Sequence, residues 1–164
     1  MALDKGPLKT ALEASLSSYP STAAAAAAAW AAAYETYAQG GRSCQGAGPG
    51  SLAAAKATLE AALTAAFQDG TAAGASSAMA AAFTAFWLTP PVTFAGSTPG
   101  VVTAVTGTAA FSAALSARFT ANAANPNLTF SDAAQGFADD LDLVLTKTVV
   151  VTHSAPGACA APLV

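Results

Sequence analysis

One histidine, two cysteines and a group of aspartates are the residues of this chain whose chemistry could make a site. His153 could serve as a base or a metal ligand. A metal centre, however, needs several His, Cys, Asp or Glu side chains in register, and no such spacing surrounds His153. Paired with a serine or with Cys44, it could activate a nucleophile. No Gly-x-Ser-x-Gly elbow surrounds any serine, so a Ser–His–Asp triad has no motif behind it. Asp132, Asp139, Asp140 and Asp142 could run acid–base chemistry or bind Ca²⁺ as paired carboxylates. They lie among Phe137, Leu141 and Val144, the apolar positions of an amphipathic helix, which predicts a solvated acidic face with Asp132 favouring the helix N-terminus. The turns Gly46–Gly50 and Gly96–Gly100 are Gly-rich but carry no lysine that could hold a phosphate. No catalytic residue, metal or cofactor is therefore expected, and His153 reads as an exposed residue at a strand end.

Cys44 and Cys159 both sit in Gly/Pro-rich segments. Synthesis in a cytosol favours free thiols, whereas later oxidation would allow a disulfide tying the tail to the first long loop. A free Cys44 near His153 would make a thiol nucleophile, the weakest of the readings.

These residues must be positioned by helices. Leu8, Leu12 and Leu16 form an i, i+4, i+8 stripe after Pro7, and Ser17–Pro20 ends it. Ser21 or Thr22 can cap a second helix running through the Ala block to Gln39, with Trp30, Tyr34 and Tyr37 on one face. Ser51 can cap a third helix to Gln68, carrying Leu52, Leu59, Leu63 and Phe67. A fourth spans 75–88 with Met79, Phe83, Phe86 and Trp87, and Pro90–Pro91 stops it. A fifth covers 109–121, and a sixth starts at Ser131. Pro91–Phe94, Val101–Val105 and Thr146–Thr152 read as extended segments, and 154–164 as a loosely held tail.

The Leu8–Leu16 pattern returns as Leu59–Phe67 and as Phe111–Phe119, a period of about 51 residues. The fold class expected is mainly α: an Ala-rich bundle of about six helices in three helix–turn–helix repeats, with short β segments near 91–105 and 146–152. One domain covers 1–164, with repeats at about 6–50, 51–107 and 108–153. Ala lets helices approach closely but buries little area, so the few Leu, Phe, Trp and Tyr residues must supply the core.

Charged residues are 9% of the chain and the net charge is −3. The six basic residues are scattered, which argues against binding to nucleic acid or to an anionic membrane surface. The longest apolar run, Ala23–Ala33, is about half a bilayer span. The Met1–Pro7 opening lacks the layout of a signal peptide, so a cytoplasmic start is expected. A surface this poor in charge does little to prevent association, which makes burial against partner subunits the natural expectation.

In Met1–Lys5, the Leu8–Leu12 helix start, Ala133–Ala138, the Lys147–Thr152 strand and the Pro91–Val105 segment, the chain resembles small structural proteins of tailed phages and prophages. Members of that class are usually one unit, so a triplicated one is a departure. The resemblance implies a non-enzymatic component of the tail, neck or baseplate of a phage-like particle. Such a component would be assembled in the bacterial cytoplasm, form homo-oligomers and contact other particle proteins. It carries over no functional residues. The candidate interface is Trp30, Tyr34, Tyr37 and Phe94, with Val149, Val150 and Val151 as an unpaired edge strand open to neighbours. The alternative is a monomeric helical adaptor that keeps its aromatics inside.

Overall fold

Most of the helices begin at a side chain that satisfies their exposed N–H groups. In this computed structural model, which describes residues 3–96, 98–154 and 158–164, the helices are α1 (Lys5–Ser17), α2 (Ala23–Ala38), α3 (Ala53–Ala66), α4 (Ala72–Leu88), α5 (Thr108–Ala124) and α6 (Phe130–Asp139). Asp4, Thr22, Thr71 and Thr129 cap α1, α2, α4 and α6 by accepting from the backbone N–H two or three residues ahead. Thr129 also donates its hydroxyl to Asp132, a reciprocal cap. Asp132 thus stands in the first turn, where its charge opposes the helix dipole. Leu52 occupies the N-cap position of α3, and Ser51, one residue earlier, accepts from Ala53 N at 3.5 Å. The α6 helix continues as a π-helical turn, Asp140–Leu145, and then a 3-10 turn, Thr146–Thr148.

The protein is mainly α, with six α-helices and a four-stranded antiparallel sheet among the described residues. Short links fold α1 back on α2 and α3 back on α4, and another joins α5 to α6. Each of α1 to α4 packs on the next helix, α5 packs on the π turn, and α6 returns to α1, so the bundle closes on itself. Leu8 and Leu12, Leu59 and Leu63, and Phe111 and Leu115 are all buried, and Leu16, Phe67 and Phe119 each pack part-buried on the core. The three copies of the pattern thus present the same three positions inward.

Two aromatic clusters fill the bundle. Trp30 meets Phe67 and Phe137 edge-on at 5.5 and 5.1 Å, and Phe119 joins Phe137. Tyr34 meets Phe83 and Phe86 at 4.8 and 5.0 Å, and Phe83 meets Phe111. Edge-to-face pairs set the positive rim of one ring on the negative face of another, about 0.5–1.5 kcal/mol each beyond burial. With so much Ala, these rings replace the aliphatic mass an ordinary bundle would use.

The sheet lies where α4 hands over to α5 and where the π turn ends. Its order is β1 (Thr93–Phe94), β2 (Gly100–Val105), β3 (Val149–His153) and β4 (Cys159–Pro162). Val102, Val149 and Val151 face the core, and a bulge between Val102 and Ala104 bends β2. Two expectations change here. The 146–152 segment is not an edge strand, because β3 is paired on both sides. Nor is the tail loose: β4 pairs along β3, Leu163 is buried, and Val164 and Arg42 exchange two backbone hydrogen bonds. An apolar leucine at the penultimate position and a strand partner outweigh the Pro and Gly that suggested a free end. Residues 155–157 of that tail, Ser97 of the Gly96–Gly100 turn, and Met1 and Ala2 lie outside the described residues.

Candidate functional site

His153 ends β3 and is 1% exposed, so it is not the solvated strand-end residue its neighbours Pro156 and Gly157 suggest. Its Nδ1 lies 2.8 Å from the Thr98 carbonyl and its Nε2 lies 2.8 Å from Ser43 Oγ. A carbonyl only accepts, so Nδ1 carries the proton in the neutral ring and Nε2 accepts from the serine. This is the bond pattern of a hydroxyl being activated by an imidazole. Ser43, however, is itself 2% exposed, and Gly100 lies against the ring so closely that a Cβ there would stand 2.8 Å from Nδ1. The pair instead bolts β3 to the loop after α2. Cys44 and Cys159 fasten the same corner with a disulfide. A bonded Cys44 has no thiolate, which removes the Cys44–His153 nucleophile.

Two members of the acidic cluster, Asp140 and Asp142, sit inside the fold in the π turn that follows α6. They lie i+3 and i+4 from buried Phe137 and Ala138 and are themselves buried, so they do not form the solvated face expected of them. Arg118 grips Asp140 with two parallel bonds, Nε to Oδ2 at 2.5 Å and Nη2 to Oδ1 at 2.9 Å. Asp140 in turn raises the Arg118 pKa by hydrogen bonding and charge. Asp142 accepts from the Tyr37 hydroxyl at 2.6 Å and pairs with Lys147 at 3.3 Å. Asp139, at the last turn of α6, pairs with Lys5 of α1 and accepts from Gln135. Partial burial pushes its carboxyl up, but these bonds and the Lys5 and Arg118 charges win and hold its pKa below the ordinary value.

A directional chain of hydroxyls runs beneath the turn. Trp87 Nε1 donates to Tyr34 Oη at 2.9 Å, and Thr146 Oγ1 donates to the Leu141 carbonyl at 2.7 Å. That leaves the Tyr34 hydrogen for Thr146, 2.8 Å away. Burial pushes the Tyr34 and Tyr37 phenols far above their ordinary range, and for Tyr37 the neighbouring Asp142 adds to the rise. Both stay neutral donors. Among the described residues no buried side-chain nitrogen or oxygen lacks a partner.

The residues expected at an interface lie elsewhere. Trp30, Tyr34, Tyr37, Phe94, Val149 and Val151 are buried in the chain's own core and Val150 is half-buried, paired with Ala104 and Pro162. An aromatic stripe at helical spacing serves the core first when the rest of the helix is Ala. What the surface does present is a different aromatic pair. Tyr19, 74% exposed, meets Phe130, 40% exposed, edge-on at 5.4 Å. Tyr19 follows the C-cap of α1 with φ of 45°, a left-handed conformation that helix ends ordinarily reserve for Gly or Asn. The pair sits where the α1–α2 link meets the start of α6. At the opposite end, the loop 48–50 covers the edge of β1, and Arg42 pairs with Val164 on the outer side of the chain that leaves β4.

Among the described residues, no helix is long and apolar enough to cross a membrane, and no group of three or more His, Cys, Asp or Glu side chains is placed to hold a metal ion. A search of protein-family models, of characterised proteins and of solved structures finds no match to this chain.

Proposed function

We propose that this chain is a non-enzymatic structural subunit that acts by packing against copies of itself and against other proteins of a phage or phage-like particle, in its tail, neck or baseplate. It would be assembled in the bacterial cytoplasm and function in the virion. The carrying observation is the exposed Tyr19–Phe130 pair, held out on a left-handed residue. A tyrosine in that conformation costs about 1–2 kcal/mol relative to glycine, and backbone strain is retained where the site serves something other than stability. Aromatic residues are also the usual anchors of protein interfaces. The reactive groups support the same reading: His153, Asp139, Asp140, Asp142 and both cysteines are committed to bonds that hold the fold.

The test is Tyr19→Gly, studied by light scattering over a concentration series and by incorporation into particles. The expected result is a more stable chain that associates less. Undiminished association, or a loss of stability, would defeat the reading.

Burial of Trp30, Tyr34 and Tyr37 favours a second reading, a monomeric helical adaptor that keeps its aromatics inside. A monomer at every concentration, with a partner recovered from the native host that is not a particle protein, would select it.

A further inference from the structure

Near the end of α2 a cavity of about 260 Å³ opens between the start of α1 and the loop that follows α2. Asp4 and Pro7 line it from α1; Thr36, Tyr37, Gln39 and Gly40 line it from α2 and its end; Arg42 lines it from the loop. The Pro7 and Tyr37 rings give it an apolar wall.

The charges at this cavity stand apart from the rest of the molecule. Five of the six basic side chains are paired with a carboxylate: Lys5, Lys9, Lys56, Arg118 and Lys147. Arg42 has no carboxylate partner among the described residues. Its guanidinium is nevertheless fixed. Nη1 donates to the Gln39 and Gly41 carbonyls at 3.1 and 2.7 Å, and Gly48 lies so close that a Cβ there would stand 2.8 Å from Nη1. Nε and Nη2 donate to no described residue, which leaves one edge of the fork for an anion, and guanidinium forks bind carboxylates in that way. Asp4 shares the cavity without pairing with Arg42. One of its carboxylate oxygens caps α1 by accepting from Gly6 N, and the other makes no bond to a described residue. The cavity therefore offers an apolar wall, a cation and an anion that do not neutralise each other. Its volume falls below the roughly 300–1,000 Å³ of sites for drug-sized ligands.

We propose that this cavity binds a small zwitterion, an α-amino acid with an apolar side chain. Its carboxylate pairs with Arg42, its ammonium with Asp4, and its side chain rests on Pro7 and Tyr37. The proposal is independent of the assembly reading.

The experiment is titration of the isotope-labelled full chain, followed by NMR, with three probes: L-phenylalanine, L-phenylalaninamide and 3-phenylpropanoate. The first carries both charges, the second lacks the carboxylate and the third lacks the amine. The expected result is shifts of the Gly40 and Arg42 amides and the Tyr37 ring with L-phenylalanine, and binding about tenfold weaker or worse for each of the other two, since each loses a charge-assisted bond. Asp4→Asn keeps the helix cap and should weaken L-phenylalanine binding to the level of 3-phenylpropanoate. Equal affinity for all three probes, or no shift at these residues up to the solubility limit of L-phenylalanine, would overturn the proposal. The probe series on the wild-type chain decides the question even if a variant fails to fold.

Discussion

Replacing a mid-helix glycine by alanine ordinarily stabilises a helix by about 1 kcal/mol. Gly136, in the middle of α6, should do the opposite. A Cβ there would overlap the Arg118 guanidinium and stand 3.0 Å from its Nε. The guanidinium is the end of a flexible side chain and can swing away, but only by abandoning its two bonds to Asp140. The side chains of Arg118 and Asp140 are 26% and 11% exposed, so part of the charge can recover water and part cannot. A cost of about 2–3 kcal/mol is reasonable for leaving a nearly buried carboxylate without its partner. Against the helix gain of about 1 kcal/mol, Gly136→Ala should be net destabilising by about 1–2 kcal/mol. The sign of the effect should also depend on the arginine. In an Arg118→Met background the bond is already gone, and adding Gly136→Ala should then stabilise by up to about 1 kcal/mol. Urea unfolding followed by tryptophan fluorescence on the four proteins of this cycle gives both numbers. If Gly136→Ala is as stable as the parent, or equally harmful in both backgrounds, the glycine is not there to admit the arginine.

Further outcomes rest on the other bonds. Tyr34→Phe removes the acceptor of Trp87 Nε1 and the donor to Thr146 and should cost about 1–3 kcal/mol in urea unfolding, with no change in the far-ultraviolet circular dichroism. Cys44 and Cys159 are 115 residues apart, so Cys159→Ala should lower stability by up to about 4–5 kcal/mol through the freed unfolded chain; an unchanged melting temperature would show the staple to be idle. The depressed pKa of Asp139 means that its pairing with Lys5 stabilises fully above 3.8 and is lost as pH falls through the lower folded value. The raised pKa of Lys5 acts at the other end, its contribution complete below 10.5 and lost as pH rises through the folded value. The stability difference between the parent and Lys5→Met should therefore shrink in acid and in strong alkali; a difference independent of pH would refute the linkage.

The helices were legible because their signals are local. Leu8, Leu12, Leu59, Leu63, Phe111 and Leu115 repeat at helical spacing, and each copy is buried as its neighbours in sequence require. Pro and Gly punctuation marked most of the helix ends, and Thr22 was readable as a cap. The caps at Thr71 and Thr129 use the same chemistry but are hidden among richer turn residues beside them. The extended segments at 91–105 and 146–152 were visible from β-branched residues, though not which of them would be an edge, because strand order depends on what returns to pair. The β4 strand, Cys159–Pro162, carries no β-branched residue at all; only its partner and the disulfide make it a strand.

Local pattern thus specifies a mainly α chain with a scarce, aromatic core, since periodicity and turn chemistry act within a few residues. Long-range packing decided everything else. Asp140 and Asp142 are held inside the fold, and their partners Arg118 and Tyr37 come from helices 22 and 105 residues away in the chain. Folding brought Ser43 to His153 across 110 residues, exposed Tyr19 and Phe130 in place of Trp30 and Tyr34, and left Arg42 without an acid among the described residues. Burial and pairing are properties of three-dimensional neighbours, and no pattern within one segment carries them.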